Sequence, residues 1–412
     1  MPLPDSGRDD LAAWLRLALT SGIGPAAQRD LLGRAGLPED VFRMSTTALA
    51  ALVGPRAAQA LLRDDGARDA AVRQALHWAQ APDHHLLTLA DPRYPPALLE
   101  IGDPPAVLYV RGDPALLSRP AVAIVGSRSS SLTGRQTARA FAAALGADGL
   151  VVVSGLAAGI DAAAHEGARE TTGRTVAVLG TGVDLTYPGH HAPLADAIVA
   201  AGGALVSELP LGTPVRRGNF PRRNRIIAGL ARGVLVVEAA VRSGSLITAR
   251  LAAEFGREVM AIPGSIHSPL ARGCHQLIKQ GAKLVEDAAD VLTELPGLAH
   301  PTVPASLARP TVPAGPAQPA VPAGPARPTH PAGASASAGD GHTGIPTDAP
   351  LARRILESVG WAPFSAEAIA RQCMLDGHAD HAGDVAAQLL ALEFGGALER
   401  LLDGRYQRRP SA

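Results

Sequence analysis

Six short runs of β-branched and aliphatic residues, each closed by a glycine-bearing turn and followed by a helical stretch, fill the middle of the chain. They occupy 121–125, 150–153, 175–179, 204–206, 233–237 and 258–262. Runs this apolar keep no polar side for water, so both faces of each strand must be covered. Alternation with helices supplies that cover and predicts an α/β fold on a mostly parallel sheet. Ligands of such sheets sit beyond the carboxyl ends of the strands, where every glycine-rich turn of this chain falls.

A chain of 412 residues is too long for one ordinary core, and its texture changes three times. Residues 1–85 read as a helical domain, with Leu11, Trp14, Leu15, Ala18 and Leu19 at helical spacing before Gly22-Ile23-Gly24-Pro25 breaks the pattern. Gly-Ile-Gly between two short helices resembles a helix-hairpin-helix of the helix-hairpin-helix/SAM-like type, whose amides can meet a phosphate; a plain helix–helix turn fits equally well. The sheet domain is expected over 86–296. Residues 297–349, with repeated Val-Pro-Ala-Gly-Pro-Ala units, have too few large apolar groups to order and predict an extended linker. In 350–412, helices are expected over 353–359, 365–372 and 384–393, then a hairpin over 396–407 turning at Asp403-Gly404. Leu389, Leu390, Leu392 and Leu398 are its expected core.

No apolar run approaches the roughly 20 residues that span a bilayer, and the first residues lack a signal-peptide pattern, so a cytoplasmic location without membrane insertion is expected. Cys274 and Cys373 fall in different segments and offer no disulfide or metal framework. Lys+Arg and Asp+Glu both number 38, which argues against a DNA-coating protein and confines any nucleic-acid site to a local patch. Such a patch is visible. Between Arg216 and Arg250 stand eight arginines and a single acid, Glu238. That field suits a phosphodiester chain.

The strand-end motifs supply candidates. Gly126-Ser127-Arg128 follows the first run, where glycine allows a tight turn and arginine a forked phosphate contact. Ser154-Gly155 opens a turn leading to Asp161 and His165, four residues apart on one helix face, which read as a structural pair ahead of an acid–base couple. Gly180-Thr181-Gly182 leads through Tyr187 to His190-His191, neighbours that diverge on a helix, so no metal site is expected. Phe220 can stack on a base or anchor the core. Arg222, Arg223 and Arg225 can hold flanking phosphates, and Asn224 a base edge or its own turn. Ser243-Gly244-Ser245 would open a helix whose free amides face the same cleft. No Walker A loop is present and no Gly-x-Gly-x-x-Gly follows the first strand, which argues against P-loop ATP hydrolysis and a dinucleotide-dependent oxidoreductase; no cofactor is expected.

In order, these motifs resemble the DNA-processing protein A family (DprA, also called Smf). The series runs through Gly-Ser-Arg at 126–128, Ser-Gly-x-Ala-x-Gly-Ile-Asp-x-x-x-His at 154–165 and Gly-x-Gly-x-Asp…Tyr-Pro at 180–188. It continues with Ser207-Glu208, Phe-Pro-x-Arg-Asn-Arg-Ile-Ile-Ala-Gly at 220–229, Ser-Gly-Ser-Leu-Ile-Thr-Ala at 243–249 and 273–282. The resemblance implies an extended Rossmann-like, doubly wound fold with a C-terminal winged helix. It further implies a homodimer, with Leu277 and Ile278 in its interface, that binds single-stranded DNA without catalysis and hands it to the recombinase RecA. The implied DNA pocket is Ser127, Arg128, Ser154, Gly155, Phe220, Arg223, Asn224, Arg225, Ser243, Gly244 and Ser245. One departure stands out: Gly189-His190-His191-Ala192 occupies the place of the family's Lys and Asn after Tyr-Pro. The competing reading is a phosphoribohydrolase-like enzyme with Glu238 at a strand end, although the Pro-Gly-Gly-x-Gly-Thr-x-x-Glu signature of such enzymes is missing.

Overall fold

The computed structural model describes residues 5–295, 350–359, 363–375, 381–395, 397–401 and 405–409. The expected linker over 297–349 and the turn at Asp403-Gly404 lie outside them.

All six apolar runs form strands, and three further strands join them in one sheet. These are β1 (His84–Thr88), β2 (Val107–Gly112), β3 (Ala121–Val125), β4 (Val151–Ser154), β5 (Thr175–Val178), β6 (Ala204–Ser207), β7 (Gly233–Val236), β8 (Glu258–Ala261) and β9 (Lys283–Leu284). Their spatial order is β1-β2-β6-β5-β4-β3-β7-β8-β9. Strands β3 to β9 pair in parallel, and only β1–β2 and β2–β6 are antiparallel. The chain therefore walks outward from β3 to β6, returns, and continues from β7 on the other side of β3.

Both faces are buried, as the apolar runs require. Ala121, Ala123 and Val125 pack with Ile226, Ala249 and Cys274, whereas the alternating Val122 and Ile124 pack with Ala138, Leu145 and Ala164 on the opposite face. Each fully buried Val or Ile contributes about 1.5–3 kcal/mol relative to exposure. At the β2–β6 end, Val107, Tyr109 and Leu205 share a core with Trp14, Leu15, Leu31, Leu49 and Leu61 of the N-terminal helices. Three of those helices, Pro25–Ala35, Pro38–Arg43 and Pro55–Leu62, begin with proline, whose missing N–H is harmless at a first helical position.

The C-terminal helices Pro350–Ser358, Ala366–Leu375 and Ala382–Phe394 precede a hairpin of β10 (Leu398–Arg400) and β11 (Tyr406–Arg408). Ile355, Phe364, Leu389, Leu392, Leu398 and Tyr406 close its core. Leu390 does not join them: it is 47% exposed, because the residue after a buried Leu389 points about 100° away around the helix.

Candidate nucleic-acid interface

Because the chain reverses direction at β3, the loops leaving β3 and β7 part and leave a crevice between them. A groove of about 700 Å³ opens there. It is lined by the loop after β3, the turn after β4 and the first turns of the helices Asn219–Leu230 and Ser245–Glu254. The Ser127 amide donates to the Glu238 carbonyl at 2.7 Å, which fixes the β3 loop against the β7 loop. Ser131 then caps the next helix, its Oγ accepting from the Gly134 amide at 2.9 Å.

The floor is built from buried polar groups. Arg223, 5% exposed, donates from Nη1 to the carbonyls of Gly155 (2.7 Å) and Val178, and its Nε makes no hydrogen bond. Burial pushes its pKa down to about 10, against the opposing pull of Asp161, so it remains charged at neutral pH. Asp161 accepts from the amides of Gly155 (3.1 Å) and Ala157 (3.4 Å), and its pKa is raised by burial although Arg223 pulls it down. Two glycines make this packing possible. A Cβ on Gly155 would fall inside the Arg223 guanidinium, and Gly159, at φ +81°, presses against the carbonyls of Ser127 and Arg128.

Asp161 and His165 do not pair, contrary to the expectation from their spacing. Each serves the 155–157 turn separately. His165 is fully buried; its Nε2 accepts from the Leu156 amide at 3.3 Å, and its Nδ1 donates to Thr175 Oγ1 at 2.8 Å, because that hydroxyl already donates to the Val152 carbonyl. Burial pushes its pKa down to about 3. The unfolded chain thus takes up a proton below about pH 6.5 that the folded chain refuses, so stability falls as pH drops from there towards 3. The slope is about 1.4 kcal/mol per pH unit. Asp161, raised in the fold, works in the opposite sense. Urea titrations of wild type and His165→Gln from pH 7 to 4 should therefore diverge, the wild type losing stability faster; parallel curves would mean that the ring is protonated inside.

The walls carry rings and unpaired charge. The Arg128 guanidinium lies 5.1 Å above the centre of Phe220, whose ring is tilted against Tyr187 at 5.7 Å. Phe220 is half-buried and Tyr187 is 43% exposed, so both the stacking and the anchoring readings of Phe220 apply in part. On the opposite wall, Ser243 and Ser245 share a 2.7 Å hydroxyl contact, and Asn224 Nδ2 donates to the Gly244 carbonyl at 3.4 Å. Asn224 thus ties the first turns of its helix to the Ser243–Ser245 turn. Among the described residues Arg128, Arg217 and Arg242 are exposed and form no ion pair.

Several expected site residues serve elsewhere. Ser154 is buried and donates to the Ile124 carbonyl, so it braces β4 instead of facing the groove. Arg225, with 6% of its side chain exposed, is held by Glu208 and lies 3.1 Å from Asp103; Arg222 joins the same Glu208 at 3.0 Å. Their guanidinium groups neutralise an almost buried carboxylate, which would otherwise be prohibitively unpaired. His191 turns inward, donating to the Leu156 carbonyl at 2.9 Å, with its pKa lowered by burial, while His190 stays exposed. Among the described residues no group of three or more His, Cys, Asp or Glu is placed to hold a metal. Glu238 accepts from the Ser131 amide (2.9 Å) and hydroxyl (2.6 Å) and lines a separate pocket of about 270 Å³. Leu277 and Ile278 pack partly buried against their own sheet.

Sequence reasoning missed Arg217 and Tyr187 as groove residues. Both stand in loops outside the helix Asn219–Leu230, where no periodicity marks them. Helical spacing does separate the arginines, since Phe220, Arg223, Asn224 and Ile227 line the groove at i, i+3, i+4 and i+7, while Arg222 and Arg225 fall on the side of Glu208.

The family described as DNA recombination-mediator protein A matches residues 85–296, and the DprA winged helix domain matches 342–404. Protein Smf of Synechocystis is 37% identical over 406 residues, covering 97% of this chain and 98% of that protein. Protein Smf of Escherichia coli is 49% identical over 224 residues, which span 54% of this chain and only 60% of that relative's length. Among solved structures, DNA processing protein A from Streptococcus pneumoniae is 39% identical and covers 68% of this chain and 96% of its own, with a TM-score of 0.60. Among the described residues no helix is long and apolar enough to cross a membrane.

Proposed function

The chain belongs to the DNA recombination-mediator protein A family, and from that membership we propose that it binds single-stranded DNA at the switch-point groove and delivers it to RecA. One observation carries the reading: unpaired Arg128 and Arg217 converge with the Phe220 and Tyr187 rings on one groove. Guanidinium groups meet phosphates whatever the sequence, and ring faces accept any unpaired base. Duplex DNA hides its base faces and loses the second contribution. In this reading the groove binds without catalysing, which is supported by the partners of the nearby acids and base: Asp161, on the floor, accepts from two backbone amides, His165 holds the loop beneath, and Glu238 caps a helix outside it. Self-association through the helix Arg272–Lys279, with Leu277 and Ile278, and a cytoplasmic location belong to the same proposal.

Fluorescence anisotropy with single- and double-stranded oligonucleotides across a salt series tests the reading. Single strands should bind about tenfold more tightly or better, given about 1–3 kcal/mol per stacked base. Three phosphate contacts by Arg128, Arg217 and Arg242 give a log–log salt slope of about −2. Equal affinity for both forms would sink the proposal. Base release from nucleoside monophosphates, abolished by Glu238→Gln, would favour the enzyme instead.

A further inference from the structure

The Gly-Ile-Gly turn between the first two helices takes no part in the groove above. In the structure it forms one wall of a second cleft, about 680 Å³, whose other wall is the 208–216 loop with Arg216 and Arg222. Thr20, Ser21 and Gly22 lie across this cleft from the two arginines. Among the described residues the amides of Ser21 and Gly22 have no acceptor. The turn is held in place from behind: Ile23 is 6% exposed, and Gln28 Nε2 donates to the carbonyls of Ile23 (3.0 Å) and Ala18 (3.3 Å). The wall is also fixed to the sheet domain, since Arg29 Nη1 donates to the carbonyls of Gly102 (2.7 Å) and Ile101 (3.2 Å).

Charge links the two cavities. Glu208 lines the second cleft but is cancelled by Arg222 and Arg225, whereas Arg216 is exposed and forms no ion pair. Its chain neighbour Arg217 lines the first groove. Positive charge therefore continues without interruption from one cavity into the other, past Asn219 at the start of the shared helix. Although Leu19, Leu209 and Leu211 also line the cleft, most of its exposed lining is polar, and hydroxyls, amides and guanidinium groups suit a phosphodiester backbone better than an apolar helix face.

We propose that this second cleft holds the next stretch of the same single DNA strand, so that the N-terminal helical unit lengthens the binding track. The inference rests on the proposed function of the first groove. Anisotropy with oligo(dT) from about 4 to about 16 nucleotides, the range that single-strand sites span, separates the two. Wild-type affinity should climb with length beyond what the first groove holds. Ser21→Glu introduces a like charge at an exposed turn on one wall, and Arg216→Ala removes the cation of the other. Both variants should bind the shortest oligonucleotide as wild type does, yet bind the longest about tenfold more weakly or worse, as loss of one charge-assisted contact implies. Arg216→Ala should also flatten the salt slope on the longest by about 0.7. Length series for both variants that superimpose on the wild type would overturn the second cleft alone. A wild type that binds no oligonucleotide of any length would overturn both readings together.

Discussion

Replacing Arg223 with methionine is expected to lower the stability of the folded protein by about 3–5 kcal/mol, as two buried hydrogen bonds from a charged donor are lost. The guanidinium lies beneath the groove and donates to the carbonyls of Gly155 and Val178 beside the buried Asp161. Methionine fills similar volume but donates nothing, so two carbonyls lose their donor and a carboxylate loses its neighbouring cation. The loss should depend on pH in a defined sense. Asp161 is raised by burial, and without Arg223 it rises further. The folded variant then holds a proton that the unfolded chain releases, so its stability falls as pH increases through the folded pKa. Urea unfolding followed by circular dichroism should show the deficit widening from pH 5 to pH 8. An unchanged urea midpoint, with DNA binding abolished, would instead put this side chain on the ligand.

The double variant Arg128→Ala/Arg217→Ala is expected to lose single-strand affinity with little change in folding. Both side chains are exposed and carry no carboxylate partner among the described residues. Each charge-assisted contact worth about 1.5–3 kcal/mol corresponds to about 10- to 100-fold in affinity. The log–log salt slope should flatten by about 1.4, at about 0.7 per lost phosphate contact. Arg128→Ala also uncovers the face of Phe220. Arg225→Ala is the matched control: it removes the same charge from the same stretch, yet should leave the slope unchanged and weaken the fold by freeing Glu208. If the double variant keeps the wild-type slope while Arg225→Ala flattens it, the assignment of the two sets is reversed.

Much of the architecture could be read from residue type alone. Six runs read as strands because almost nothing in them tolerates water, and their alternation with helices left a parallel sheet as the consistent arrangement. β1 and β2 escaped notice for equally physical reasons. β1 opens with His84-His85, and the apolar run of β2 follows Pro104-Pro105 and leads into a five-residue 3-10 helix, Pro114–Ser118, so neither fits the strand–helix alternation; their place comes from pairing with each other and with β6. The site was legible as a location but not as a list. Counting arginines between 216 and 250 found the patch, whereas charge says nothing of direction. Arg222, Arg223 and Arg225 differ only in where the helix turns them: towards Glu208, into the floor, or towards Glu208 and Asp103. Ser154 was drawn in by its motif, yet a hydroxyl at the last residue of a strand found the neighbouring Ile124 carbonyl first.

The helix Asn219–Leu230 works like a keyed shaft, with ligand groove and carboxylate lock addressed from opposite sides of one cylinder. One extra residue inserted between Phe220 and Arg222 would rotate everything after it by about 100° relative to Phe220. Arginines meant for the lock would swing towards solvent, and the plug beneath the groove would be drawn out of its socket. Point changes on the exposed turns before this helix are tolerable by comparison. Insertions and deletions within its first two turns are not, so spacing here is constrained more tightly than residue identity.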